Sequence, residues 1–209
     1  ERSIEQRTAM LAGVSHDLRT ILTRFKLELA LIGEGPEIDA MRKDVDEMSM
    51  MLEDYLAFAR GDSGEVAQPT DMAMALEELR SDAERHGHTA TVAFHGLPVV
   101  TVKPASFKRC LANLVSNAAR HANTISITGQ RDHRYLNITI DDDGPGIPAD
   151  MREEVFKPFL RLDDARNQDE GGSGLGLAIA RDIARSHGGD ILLSESPMGG
   201  LRAAVRVPV

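Results

Sequence analysis

Apolar residues recur at Leu18, Leu22, Phe25, Leu29 and Ile32, in steps of four and three. That spacing predicts a helix burying one narrow stripe. After a turn at Gly33, Glu34, Gly35 and Pro36, Ile38, Met41, Val45, Met48, Leu52, Tyr55 and Ala59 repeat the pattern, predicting a second helix and a helical hairpin. Upstream, Leu11 and Val14 fit the stripe less cleanly. Two narrow seams have little else to pack on, so pairing with a second copy into a four-helix bundle is the economical way to bury them. The expectation is a homodimer, with residues 1–60 as its dimerisation domain.

Residues 61–69 hold Gly, Asp, Ser, Glu, Gln and Pro with little to bury, and read as a linker. A second domain, 70–209, is expected beyond it. Met72 to Arg85, Ser106 to His121 and Leu175 to His187 carry helical patterns, the last stopped by Gly188 and Gly189. Thr89 to Phe94, Ile125 to Gly129, Tyr135 to Asp141, Ile191 to Glu195 and Leu201 to Val207 read as strands. In the last of these Leu201, Ala203, Val205 and Val207 alternate with Arg202, Ala204 and Arg206. This mixture predicts a sheet with helices packed on one face.

Composition narrows the function. The 209 residues carry a net charge of −9, acidic in both parts, which argues against a nucleic-acid partner. A single cysteine, Cys110, excludes an intramolecular disulfide and a multi-cysteine metal site. No stretch reaches the roughly 20 apolar residues of a membrane helix. The chain opens at Glu1 in helix-like sequence, so it is expected to be a piece of something longer.

Four segments carry candidate chemistry. In the first helix stands Ser15-His16-Asp17-Leu18-Arg19-Thr20. His16 lies about 200° around the helix from Leu18 and should project away from the seam as a usable nucleophile. A lone histidine is more often merely solvated, but Asp17 can hold one ring nitrogen protonated and leave the other free to attack. Thr20 follows one turn along. In the second domain Asn113 and Asn117, at i and i+4 before Arg120 and His121, share a helical face, and amide oxygens suit Mg²⁺ carried mainly by a nucleotide's phosphates. Asp142-Asp143-Gly144-Pro145-Gly146-Ile147 ends a strand, where glycines permit close approach and a carboxylate can accept from a base's exocyclic amine. The plain alternatives are surface polar residues and a solvated Gly-Pro turn. Finally, Gly171 to Leu177 opens a helix with successive amides suited to an anion, without a Walker lysine or a preceding Rossmann strand. The polar run 160–170, with Arg161 and Arg166, reads as a lid.

In this order these segments resemble the catalytic core of bacterial sensor histidine kinases, in a layout like the osmosensing EnvZ type. Ala12 to Thr20 resembles the H box, Asn113 to His121 the N box and Asp142 to Ile147 the first glycine box. Phe156-Lys-Pro-Phe159 resembles the F box, Gly172 to Leu177 the second glycine box, and Gly199-Gly200-Leu201 the closing strand region. The resemblance implies a two-domain fold: an α-helical hairpin dimerising into a four-helix bundle, then an α/β sandwich ATP-binding domain of the Bergerat (GHKL) type. His16 is implied as phosphoacceptor with Asp17 as its base, and Thr20 as the residue orienting water when a response regulator is dephosphorylated. ATP and Mg²⁺ are the implied cofactors: Asn117 holds Mg²⁺ with Asn113 nearby, Arg120 and His121 face the nucleotide, and Asp142 reads the adenine amine beside Gly144 and Gly146. Arg161 and Leu162 border the lid, while Ser173, Gly174, Leu175, Gly176 and Leu177 line the phosphates. The implied partner is the receiver domain of an OmpR-like response regulator. The implied location is the cytoplasmic part of a bacterial inner-membrane protein whose membrane segments lie outside this sequence. Two positions depart from the family pattern: His121 stands where Tyr is common and Ile21 where Pro is usual. The rival readings are a catalytically idle dimeric scaffold that docks a receiver, and a chaperone- or topoisomerase-type ATPase.

Overall fold

A computed structural model of the chain describes the backbone of residues 2–60, 64–160, 162 and 174–209, and their side chains except those of 2–16, 47, 50, 53–54 and 57–60. Two compact units result: a helical hairpin, and a sheet unit made of the described residues from 64 to 162 and from 174 to Val209.

The hairpin pairs α1 (Arg2–Ile32) with α2 (Pro36–Arg60), Pro36 opening the second helix at the position where a missing N–H costs nothing. Between them they bury Leu29, Val45 and Leu56. Lys26 bridges to Asp46 at 2.7 Å, and Arg42 donates to the carbonyls of Leu29 (3.2 Å) and Gly33 (2.9 Å), closing the end of α1 from the opposite helix. Gly33 takes a positive φ of 112° at the turn. Much of the expected seam stays open: Leu18, Phe25, Ile32, Met41, Met48 and Tyr55 are exposed, while Leu22, Ile38 and Leu52 are half-buried. Ile21 sits within an unbroken α1.

The second unit is a mixed five-stranded sheet in the order β2-β4-β5-β7-β6, formed by β2 (Thr89–His95), β4 (Thr124–Arg131), β5 (Tyr135–Asp142), β6 (Asp190–Glu195) and β7 (Leu201–Pro208). β2 and β4 run parallel, and the other neighbours antiparallel. The alternation read from the sequence holds. Ile125 and Ile127, then Leu136, Ile138 and Ile140, then Ala203, Val205 and Val207 are buried on one face. That face is covered by α3 (Met72–Arg85), α4 (Pro104–His121) and α5 (Gly176–Ser186), so the unit is a two-layer α/β sandwich. α4 begins two residues earlier than the sequence pattern indicated because Pro104 is accommodated in its first turn. α5 ends as expected: Gly188 has φ 77°, its N–H and that of Gly189 bond back to Arg185 and Ala184, and a Cβ on Gly189 would collide with the Arg206 carbonyl.

One feature was not legible in the sequence pattern. β1 (Gln68–Asp71) and β3 (Val99–Val102) pair antiparallel as a small second sheet. Gln68 and Pro69, expected as linker, are therefore strand residues, and Pro69 is tolerated because the ribbon has only two strands. Glu65, also in the expected linker, is bound to α4. Its carboxylate accepts from the N–H groups of Ala105 (2.7 Å) and Ser106 (2.9 Å). Asp71 caps α3 through Met74 N–H at 3.0 Å.

Candidate functional site

The C-terminal end of β5 carries three consecutive aspartates, and the backbone sends them to three different tasks. Asp141 points to the open face of the sheet and forms a bidentate ion pair with Arg202 at 2.7 and 2.9 Å. Asp142 is buried, with Oδ1 accepting from Gly144 N–H (2.9 Å) and Leu201 N–H (3.0 Å) while its carbonyl accepts from Gly200 N–H. Both bonds fall on Oδ1, which leaves Oδ2 as the oxygen for a ligand. Asp143 accepts from the N–H groups of Asn123 and Thr124, each at 2.9 Å, locking the end of β5 to the turn after α4. The bond from Thr124 N–H, reinforced by the Thr124 hydroxyl, holds the Asp143 carboxyl below its ordinary range.

Glycines make this packing possible. A Cβ on Gly144 would lie 2.7 Å from the carbonyl of His121, so the loop after β5 is pressed against the C-terminal end of α4. A Cβ on Gly200 would collide with the Asp142 carboxylate, the Asp142 carbonyl and Gly144 N. Gly146 takes φ 72° beside the Gly200 carbonyl. Gly200 and Leu201 were not among the residues expected to form the site. The Gly-Gly pair just before a strand was the available signal.

α4 supplies Asn113 and Asn117, both half-buried, and Arg120 and His121, both exposed. The Nδ2 of Asn113 is buried without a hydrogen-bond partner, as is Nε of Arg109 one turn earlier. Orphaned buried donors are costly unless a ligand or water completes them. The site therefore fits a group rich in acceptor oxygens, as a nucleotide's phosphates are.

The glycine-rich segment enters α5 at Gly174, with φ 65°, and the N–H of Phe159 donates to its carbonyl at 2.9 Å. Phe159 itself adopts φ 66°, alone among the described non-glycine residues in having positive φ, and its ring is exposed. Among the described residues, a Cβ on Gly176 would meet nothing within 4 Å. Leu175 is buried in the core, leaving only its backbone for a ligand, while Leu177 is half-buried and Leu162 exposed. Arg161, Ser173 and most of the expected lid lie outside the described residues.

α5 is fixed in place from several sides. Arg181 pairs with Glu153 (2.7 Å) and Asp190 (2.8 Å), with its guanidinium 4.2 Å from the centre of the Phe156 ring. The Cys110 thiol of α4 donates to the Ala180 carbonyl, and burial pushes that thiol up to about 12. At the far end of α5, His187 Nε2 accepts from Lys103 N–H at 3.1 Å, so its Nδ1 is the donor facing the Ile183 carbonyl at 2.8 Å. The two helices that border the site are thus tied to each other near their middles and at one end.

In the hairpin unit, His16, Asp17 and Thr20 share the middle of α1. Asp17 and Thr20 are exposed, while the side chain of His16 lies outside the described residues. Leu27 and Leu31 follow on the same outward stripe and are exposed by 62% and 87%.

Residues 102–209 match the family of histidine kinase-, DNA gyrase B- and HSP90-like ATPases, and residues 6–64 match the His Kinase A (phospho-acceptor) domain. Similar proteins include the sensor histidine kinase CpxA of Escherichia coli K12, 34% identical over all of this chain and 48% of its own length. The sensor protein RstB of the same strain is 30% identical over 99% of this chain and 50% of its own length. The chain thus spans about half the length of these curated relatives. Among solved structures, full-length ShkA in complex with AMPPNP shares the fold at TM-score 0.79 and 22% identity, over 97% of this chain and 46% of that one. The ATP-binding domain of PrrB from Mycobacterium tuberculosis gives TM-score 0.58 at 27% identity, over 68% of this chain and 96% of that one. With a phospho-acceptor helical hairpin preceding a Bergerat-type α/β sandwich, the chain belongs to the histidine kinase-, DNA gyrase B- and HSP90-like ATPase family, in the arrangement of the sensor histidine kinases.

Proposed function

We propose that this chain is the core of an ATP-dependent histidine autokinase that passes its phosphoryl group to an aspartate on a response-regulator receiver domain of the OmpR type, and that it also dephosphorylates that regulator. The observation that carries the nucleotide reading is Asp142: a buried carboxylate with one oxygen fixed by two backbone N–H groups, glycines on each side, and an orphaned asparagine amide on the adjacent helix. Oδ2 of Asp142 is suited to the adenine amine, and the first turn of α5, from Gly174 to Leu177, to the phosphates. Asn117, with Asn113, Arg120 and His121 around it, would hold Mg²⁺, which supplies charge neutralisation to the triphosphate.

The chemistry falls to His16. Its free ring nitrogen attacks the γ-phosphorus, the N–P bond forms as the bond to the β-phosphate oxygen breaks, ADP leaves, and the proton on the other ring nitrogen passes to Asp17. Thr20, one turn along, can orient a water for the reverse task on a phosphorylated receiver without taking part in the first transfer. The open stripe of Leu18, Phe25, Ile32, Met41, Met48 and Tyr55 supports a homodimer closing a four-helix bundle. Leu27 and Leu31, exposed below His16, suit a docking receiver. Among the described residues no helix is long and apolar enough to cross a membrane, and the inner-membrane setting belongs to the longer parent protein.

The test is incubation with ATP labelled at the γ-phosphate. An acid-labile, alkali-stable label that disappears in His16→Gln, while nucleotide binding persists, is the expected outcome. A label retained at the normal rate in His16→Gln would remove His16 from the reaction, and a chain that binds nucleotide but never labels would be the idle scaffold.

A further inference from the structure

Asp143 stands beside the buried Asp142, yet it is exposed and its carboxylate is committed to another part of the chain. Its Oδ1 accepts from the N–H groups of Asn123 and Thr124, each at 2.9 Å, and its own N–H donates to the Thr124 carbonyl at 3.3 Å. Side chain and backbone together therefore clip the first residue of β4. The turn they grip is held from other sides as well. The Ala122 carbonyl accepts from His88 Nδ1 at 3.2 Å, the Asn123 carbonyl accepts from Thr89 N–H at 2.9 Å, and Ala122 N–H closes α4 on the Ala118 carbonyl. An exposed carboxylate bonded to a turn fixed in this way adds little burial. Its effect is to decide where the chain after Asp142 runs.

Immediately after that clip comes Gly144, pressed so closely on the end of α4 that a Cβ there would lie 2.7 Å from the His121 carbonyl. Its N–H reaches Asp142 Oδ1 at 2.9 Å, and with Leu201 N–H at 3.0 Å it turns the Asp142 carboxylate so that Oδ2 is left for a ligand. If the loop lifted from the turn at 122–124, Gly144 N–H would leave Oδ1 and the carboxylate would pivot on its remaining bond to Leu201. We infer that Asp143 is a positioning residue for base recognition: by holding the loop on the turn after α4 it fixes the direction of Asp142 Oδ2, and so sets the preference for adenine over guanine. This inference rests on the ATP-site reading above. A carboxylate oxygen accepts from the exocyclic amine of adenine and repels the carbonyl oxygen that guanine carries at the same place. Both effects depend on alignment, since a hydrogen bond weakens steeply as its angle falls toward about 120°. The phosphates do not discriminate, being the same in the two nucleotides.

The test compares affinities in the full chain for ATP and GTP analogues with a non-hydrolysable β-γ bridge. Asp143→Ala should weaken the ATP analogue by about five- to twentyfold, part of the effect of one charge-assisted contact, and leave the GTP analogue within about twofold. Asp143→Asn, whose amide oxygen accepts the same two N–H groups, should keep the ratio of the two affinities within about twofold of the parent's. Thr124→Val removes only the hydroxyl that reinforces the clip, and should lower the ratio by a smaller factor; it carries the test if Asp143→Ala does not fold. A second readout is the Gly144 amide proton in the nucleotide-free chain, which should move to higher field in Asp143→Ala as its bond to Asp142 is lost, and stay in place in Asp143→Asn. Equal losses for both analogues, a ratio unchanged in both Asp143→Ala and Thr124→Val, or a loss in Asp143→Asn as large as in Asp143→Ala would overturn the assignment. A parent chain with no preference for the ATP analogue, or one whose preference survives Asp142→Asn, would instead refute the base-reading role of Asp142 itself.

Discussion

Removing the Glu65 carboxylate tests whether the segment before β1 helps hold α4. Both oxygens of Glu65 are engaged, one on Ala105 N–H at 2.7 Å and the other on Ser106 N–H at 2.9 Å, and the N-cap residue Lys103 offers no side-chain bond of its own. Losing a side-chain cap costs about 0.5–2 kcal/mol. The loss of a negative charge at a helix N-terminus adds roughly 0.3–1 kcal/mol. Ala105 is exposed, so water can replace one of the two bonds, which places Glu65→Ala at about 1–2 kcal/mol. Glu65→Gln keeps one acceptor and should lose about half of that. Cys110 provides the assay, because it is the only cysteine, lies in α4, is fully buried and has a thiol pushed up to about 12. Its modification by a thiol reagent under native conditions therefore reports opening of α4. A shift of 1–2 kcal/mol corresponds to labelling about 5–30 times faster. A labelling rate that stays within twofold of the parent in both variants would show that Glu65 contributes nothing to α4 and that the short β1–β3 sheet alone anchors the segment.

Asp142→Asn should weaken nucleotide binding by about 1.5–3 kcal/mol, since an amide nitrogen in place of Oδ2 opposes donor to donor; an unchanged titration with a fluorescent ATP analogue would contradict the role of Asp142. Thr20→Ala is expected to retain autophosphorylation and lose regulator dephosphorylation, and a parallel fall in both would make Thr20 a structural or docking residue. Ile21→Pro removes an N–H from the interior of α1 and clashes with the Asp17 carbonyl, at about 3 kcal/mol. It should lower the melting temperature and, by giving the helix a kink point near His16, raise the autophosphorylation rate; lower stability with no gain in rate would mark Ile21 as a plain substitution. Burial works against the ionised form of Asp190, but hydrogen bonds from Arg181 and Arg185 outweigh it and hold its carboxyl at about 2. A folded value below the unfolded one means that this contribution is present above the unfolded value of about 4 and disappears as pH falls toward 2. Asp190→Asn should therefore flatten the loss of stability between about pH 4 and 2, as followed by thermal melts, and melting curves whose acid dependence matches the parent's would rule the pair out as a contributor.

The parts of this fold that were legible in the sequence are those in which burial repeats. The apolar spacing from Leu18 to Ile32, of which Leu29 is buried, marks a helix, and the alternation in β4, β5 and β7 expresses burial several times over, so the pattern survives any single exception. β1 was missed because Gln68, Pro69, Thr70 and Asp71 bury almost nothing, and their strand exists only through the four partners on β3. Motif order likewise identified the kind of site but not the division of labour within it. Three adjacent aspartates look alike in sequence, and strand periodicity separates only Asp141, turned outward to Arg202, from Asp142, turned inward. What distinguishes Asp142 from Asp143 is where distant backbone amides arrive: Leu201 N–H, 59 positions away, on the first, and Asn123 and Thr124 N–H on the second. Glu65 on Ser106, over 41 positions, and His187 on Lys103, over 84, are contacts of the same sort, one side chain meeting one remote N–H. Such contacts leave no periodic trace. Each fixes an end of α4 or the loop beside Asp142, so on the ATP-site reading proposed above, changes at Glu65, His187 or Gly200 should alter nucleotide affinity although none of these residues carries a reacting group.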